Sequence, residues 1–181
     1  MSRFNCFSFL RAINVGGHNV KMDALRDLFI AMGFSNVVTF IASGNVIFTS
    51  TEKHTAALEK RIEKNLKEAL GYEVSTFIRT GKELAAIVEY LPFPQSQIDK
   101  ATAFNVAFLQ EPPDAAALNK LTALKNDVDD FHVYGREVYW LCKVKQSDSK
   151  FSNVVLEKTL GMKATLRGMN TVRKLVAKYC E

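Results

Sequence analysis

The sequence predicts an α+β protein built as two βαββαβ halves, each organised around an antiparallel sheet. Three observations carry this reading. The order strand–helix–strand–strand–helix–strand–helix occurs twice along the 181 residues. Between the two runs, Leu91-Pro92-Phe93-Pro94 puts two prolines in three residues, which breaks helical and strand periodicity alike. The halves also correspond residue by residue. Setting Arg79 on Arg167 places Leu84, Ile87 and Val88 over Val172, Leu175 and Val176. Val46-Ile47-Phe48 then falls over Val138-Tyr139-Trp140, and Phe9 over Phe108. Several matches in one order argue for internal duplication, and βαββαβ is the ferredoxin-like split βαβ order. The expected division is a first domain over 1–91, a linker over 92–102 and a second domain over 103–181 with a basic C-terminal helix.

Each element follows from local pattern. Phe4 to Leu10 is apolar and aromatic with few breaks, which marks a central strand. Met22, Leu25, Leu28, Phe29 and Met32 recur at helical spacing, and Gly33 closes that helix. Asn36 to Ile41 and Val46 to Phe48 are strands joined by a tight turn at Ser43-Gly44-Asn45. Leu58, Ile62, Leu66 and Leu70 line one face of a long helix ended by Gly71, while its charged side mixes both signs as a solvated face does. Val74 to Arg79 is a strand. Thr80 with Glu83 three residues on is a capping box opening a short helix. In the second half, Ala103 to Leu109 is a strand and Pro112-Pro113 starts a helix. A hairpin turns at Gly135-Arg136, Phe151 to Leu160 is a helix closed by Gly161, and Lys163 to Arg167 is a strand before the last helix.

Composition narrows the class. Apolar residues make up 48% and charged residues 24%, as in ordinary globular proteins. No apolar run approaches the roughly 18 residues of a membrane span, and the start lacks a signal-peptide pattern. Cys6, Cys142 and Cys180 are far apart and make no CxxC or zinc spacing. Reduced thiols and a cytoplasmic location are the simplest reading, with no membrane partner, cofactor or metal site expected. The net charge of +5 is uneven: residues 143–181 hold nine Lys/Arg against three Asp/Glu, and the rest hold fifteen against sixteen. The basic segment is either an electrostatic footprint for an anion or a solvated surface.

Topology then joins distant residues. In the βαββαβ order the first and third strands are adjacent and antiparallel, so the end of one lies beside the beginning of the other. That brings the loop Arg11–Asn19 next to the Ser43-Gly44-Asn45 turn. Glycine backbone, a following helix start and an arginine fork suit an anion. The expected ligand-binding residues are Arg11, Asn14, Gly16, Gly17, His18, Asn19, Ser43, Gly44 and Asn45. For Asn14 and Asn45 the alternative is that they satisfy turn backbone. The equivalent loop of the second half, Gln110-Glu111-Pro112-Pro113-Asp114, has prolines and acids where an anion needs amides. His18 is either a general acid–base group or an exposed loop histidine, and no catalytic residue is assigned. Phe7, Phe9 and Phe48 invite comparison with an RNA-recognition sheet. The K/R-G-F/Y-G/A-F signature is missing, and a first strand apolar on both faces favours burial, with helices on one face of each sheet and the other domain on the second.

Arg11-Ala12-Ile13-Asn14-Val15-Gly16-Gly17 with Met22-Asp23-Ala24-Leu25-Arg26, then Ser43-Gly44-Asn45-Val46-Ile47-Phe48, then Arg167-Gly168-Met169-Asn170-Thr171-Val172 resemble the bacterial DUF1697 family, a domain of unknown function. The resemblance runs nearly end to end. It implies two ferredoxin-like subdomains and no established activity. Ala12 stands where that family usually has glycine. The match also marks Arg167, Asn170 and Thr171, which with Arg173 and Lys174 form a possible second patch. The function expected is binding of an anionic small molecule or nucleic acid at the loop rim of the first domain. The alternatives are an enzyme acting on a phosphorylated small molecule and a protein-interaction module whose glycine loops are structural.

Overall fold

The chain folds around two four-stranded antiparallel sheets. The structure is a computed structural model and describes residues 3–41 and 44–180. The first sheet contains β1 (Phe4–Leu10), β2 (Ser35–Phe40), β3 (Asn45–Ser50) and β4 (Thr76–Thr80), in the order β2-β3-β1-β4. Two helices connect them, α1 (Met22–Ala31) between β1 and β2, and α2 (Thr55–Leu70) between β3 and β4. After β4 comes α3 (Gly81–Glu89), and then a short helix, α4 (Gln95–Lys100). The second sheet contains β5 (Ala103–Phe108), β6 (Asp129–Tyr134), β7 (Glu137–Cys142) and β8 (Thr165–Gly168), in the order β6-β7-β5-β8. Its helices are α5 (Ala115–Thr122) and α6 (Asn153–Leu160), and α7 (Met169–Tyr179) follows β8. The chain divides into two units, Met1–Ala86 with Leu175–Glu181, and Ile87–Lys174, so α3 and α7 both run across the division.

The predicted helix signals are realised as hydrogen bonds. Thr80 N–H donates to Glu83 Oε2 at 2.8 Å, and Glu83 N–H donates to Thr80 Oγ1 at 3.3 Å, which is the reciprocal capping box. Gly71 and Gly161 end α2 and α6 in the left-handed region. The helix α4 lies in the segment read as linker. Pro94 occupies its N-cap, where the missing N–H is harmless, so a proline-rich break also starts a helix.

In the first unit one core lies between the sheet and its two connecting helices. Cys6, Leu10, Val46, Phe48 and Ile78 meet Leu25, Phe29, Leu58, Ile62 and Leu66 there. Burying each such aromatic or aliphatic side chain contributes roughly 1.5–3 kcal/mol. Phe7 and Phe9 point to the opposite face by strand alternation and are 1% and 0% exposed. Phe48 pairs with Cys6 and sits on the helix side, its ring 5.6 Å from that of Phe29. The three phenylalanines therefore do not form an exposed base-stacking surface.

The outer strand β4 is sealed by carboxylates. Glu63 accepts from Thr76 N–H, Glu59 from Ile78 N–H and Glu83 from Thr80 N–H, each at 2.8 Å. Alternate amides along β4 thus end on side chains rather than on another strand. In the second unit Glu157 accepts from the N–H of Ala164, the residue before β8, at 2.9 Å. That unit's core gathers Trp140, Phe131, Phe151, Leu121 and Leu156. Its buried acid Asp129 accepts from Trp140 Nε1 and Ser149 Oγ, both at 2.8 Å, so each carboxyl oxygen has a donor.

The β2–β3 connection runs over 41–44, longer than a two-residue turn, with Ile41 at φ 50 and Gly44 at φ 72. Ser43 lies outside the described residues. Gly44 O accepts from Leu10 N–H at 2.9 Å. A Cβ on Gly44 would stand 2.9 Å from Ile13 Cγ2 and 3.2 Å from Leu10 Cβ. Strain and crowding therefore act together at one position. Gly44→Val is expected to lower stability by about 2 kcal/mol or more, read as a lower urea midpoint at unchanged m-value.

Candidate functional site

The residues expected to bind a ligand begin where β1 ends. β1 pairs antiparallel with β3 and with β4, matching Phe9 with Asn45 and Phe77. The end of β1 and the starts of β3 and β4 therefore share one rim. Main-chain hydrogen bonds seal it, from Leu10 N–H to Gly44 O and from Arg11 N–H to Ser75 O, both at 2.9 Å.

The loop from Arg11 to Lys21 is held at one buried anchor and one side-chain clasp. Ile13 is buried, and its carbonyl accepts from the Tyr72 hydroxyl at 2.8 Å. Asn14 Oδ1 accepts from Val20 N–H at 2.7 Å and closes the loop across six residues. Between these points Gly16 and Gly17 take φ of 70 and 87. Both are exposed, and nothing stands within 4 Å of where either Cβ would be. Their N–H groups have no hydrogen-bond partner among the described residues. The exposed His18 ring stacks on Tyr72, centroids 3.7 Å apart and planes 16° from parallel. The helix α1 starts only at Met22, where Lys21 is the N-cap and Asp23 already complements the dipole.

The expected residues thus separate into two groups. Arg11, Gly16, Gly17, His18 and Asn19 are on the rim, with Arg11 half-buried and the others exposed. Asn14 is exposed but its side-chain oxygen is committed to the loop. Asn45 is 1% exposed and donates from Nδ2 to Phe40 O at 3.0 Å, closing the hairpin. Gly44 serves packing. Tyr72 belongs to the rim and escaped sequence reasoning. The signal was the topology itself, because the start of β4 meets the end of β1 just as the start of β3 does.

The second patch is less coherent. Arg167 is buried, and its Nη1 donates to Thr165 Oγ1 and Leu166 O, both at 2.8 Å. Burial pushes its guanidinium down to about 10, which still leaves it protonated at neutral pH. Asn170 and Lys174 are exposed on α7, Thr171 and Arg173 are half-buried, and Arg173 Nη1 donates to Asn170 Oδ1 at 3.4 Å. Among the described residues no group of His, Cys, Asp and Glu is arranged to hold a metal ion, and no helix is long and apolar enough to cross a membrane.

A chain with this fold and these motifs falls within a recognised class. The family model for DUF1697, a protein of unknown function, matches residues 5–139, and the chain belongs to that family. Among solved structures it is similar to the conserved bacterial protein SP0830 from Streptococcus pneumoniae. That match has a TM-score of 0.80 and 21% identity, over 99% of this chain and 100% of the other. At that identity the likeness speaks of fold. No curated protein matches the chain.

Two measurements test the loop. Ala12 has φ 55, in the left-handed region that favours glycine. Ala12→Gly is expected to relieve left-handed strain and raise stability by about 0.5–1 kcal/mol, net of the added freedom of the unfolded chain. Tyr72→Phe keeps the stack on His18 but removes the bond to Ile13 O. It is expected to lower stability by about 1 kcal/mol and to speed amide hydrogen exchange across residues 13–20.

Proposed function

We propose that the protein is a cytoplasmic binding protein of two ferredoxin-like halves that arose by duplication, with an anionic ligand held on the rim of the first. The two sheets support the duplication. Phe7 faces Ile47 and Arg79 across β1, and Val106 faces Tyr139 and Arg167 across β5. These are the same pairs that the sequence alignment of the halves superposes. Arg79 Nη1 and Arg167 Nη1 each donate at 2.8 Å to the carbonyl of the preceding residue. The three free cysteines suit a reducing compartment.

One observation carries the ligand. Gly16 and Gly17 present adjacent, exposed N–H groups without a partner among the described residues, in the loop that Arg11 opens. Two amide donors and a guanidinium fork match the acceptor geometry of a phosphate or carboxylate. A short loop of this size suits a single phosphoryl group on a small molecule. The His18–Tyr72 stack offers a planar surface beside it, which makes nucleotides the first compounds to try.

Titration with nucleotides, sugar phosphates and short RNA and DNA tests the reading. Arg11→Ala is expected to weaken binding by about 1.5–3 kcal/mol, the range for a charged hydrogen bond. Added salt should weaken a small ligand mildly and a nucleic acid steeply. Equal binding by both proteins would move the site to the basic segment 143–181. No binding by any compound would leave the glycine loop with a structural role.

A further inference from the structure

A cavity of the first unit lies at the opposite end of β1 from the glycine loop. It has a volume of 630 Å³, within the range of roughly 300–1,000 Å³ typical of small-molecule sites. Four separate segments build it: the start of β1, the chain just after β3, the first turn of α3 and the end of α7. Asn5 Nδ2 donates to Tyr179 O at 3.0 Å and ties the last helix to the first strand. The Tyr179 ring is held edge-on by Phe40, with centroids 6.2 Å apart.

The lining combines two kinds of surface. Phe4, Ala85 and Tyr179 supply apolar wall, and Arg3, Lys53 and Lys82 supply three positive charges. No carboxylate lines the cavity among the described residues. None of the three cations makes an ion pair or hydrogen bond among the described residues. Glu83, one residue from Lys82, is engaged with both the N–H and the hydroxyl of Thr80. Three cations without a partner among the described residues, set around an apolar recess, attract an anion that also carries an apolar body.

We propose that this cavity is a second binding site, for an amphipathic organic anion with an aryl or alkyl body and a negatively charged head. Arg3, Lys53 and Lys82 meet the head, and Phe4 and Tyr179 meet the body. The site is independent of the glycine-loop reading. The seven residues of β1, at about 3.4 Å each, separate the two ends by roughly 20 Å.

Cys180 provides a reporter. Its thiol lines the cavity and would lie 3.7 Å from a Cβ placed on Gly81. Cys6 and Cys142 are fully buried, and burial, aided by the Glu83 charge, pushes the Cys6 thiol up to about 12. Alkylation of the folded protein should therefore mark Cys180 first.

The test uses 8-anilinonaphthalene-1-sulfonate, with N-phenyl-1-naphthylamine as its analogue lacking the sulfonate. The full chain is titrated with each dye, and N-ethylmaleimide labelling of Cys180 is followed by mass spectrometry. We expect saturable one-to-one binding of the sulfonate dye that slows Cys180 alkylation. Lys53→Glu and Lys82→Glu, both at exposed positions, should each weaken it at least tenfold while circular dichroism is unchanged. The uncharged dye should respond to neither substitution, and Arg11→Ala should leave sulfonate binding intact. Sulfonate binding that ignores both lysine reversals, or that leaves Cys180 alkylation at its unliganded rate, would overturn the proposal. Equal affinity for the two dyes would overturn it as well, by showing an apolar patch without anion selectivity.

Discussion

Everything at both ends of the first unit depends on the two-sided pairing of β1. A strand bonded to β3 on one side and β4 on the other has no free edge. It is also buried on both faces over most of its length. Both faces being dry explains why Phe4 to Leu10 reads as an apolar run with few breaks rather than an alternating one. Antiparallel pairing on both sides then dictates which loops meet. The end of β1 is joined by the starts of its two neighbours, and its beginning by their ends. The glycine loop and the cationic cavity are the two outcomes of that single arrangement.

The second sheet repeats the arrangement down to a charged residue. Arg79 and Arg167 are both buried and both folded back on the carbonyl of the residue before them. A guanidinium removed from water is expensive unless its donors are met. A fixed backbone acceptor one residue away costs little further side-chain entropy to reach. The local solution can therefore recur wherever the same strand recurs. The helices before each outer strand follow the same economy, with glutamates of α2 reaching β4 and Glu157 of α6 reaching Ala164, just before β8.

Much of the fold was legible because burial leaves a periodic trace. Strand and helix spans, the glycines at the ends of α2 and α6 and the Thr80–Glu83 box each have a short-range cause. The helix α4 was not legible, since prolines signal an interruption without saying that a helix begins directly after. At the site, topology placed the end of β1 beside Gly44, where Leu10 N–H donates to Gly44 O. It could not say which way polar side chains turn. Asn14 and Asn45 are spent on backbone, Arg167 points inward, and Tyr72 enters through a contact 59 residues away in sequence, to Ile13. The cationic cavity was invisible for the same reason. Arg3, Lys53 and Lys82 are ordinary surface residues until three chain segments bring them together.

The glutamate row along β4 bears on self-association. An exposed strand edge is a template on which another chain can add a strand, and repeated addition makes fibres. On this edge the outward amides of Thr76, Ile78 and Thr80 are already occupied by carboxylates. The other edge, β2, has a register shift between Ser35 and Val38 and carries Asn36 at φ 52. It offers no flat run of regularly spaced donors. The first sheet is thus finished at four strands, with neither edge presenting a flat template on which another chain could add a strand.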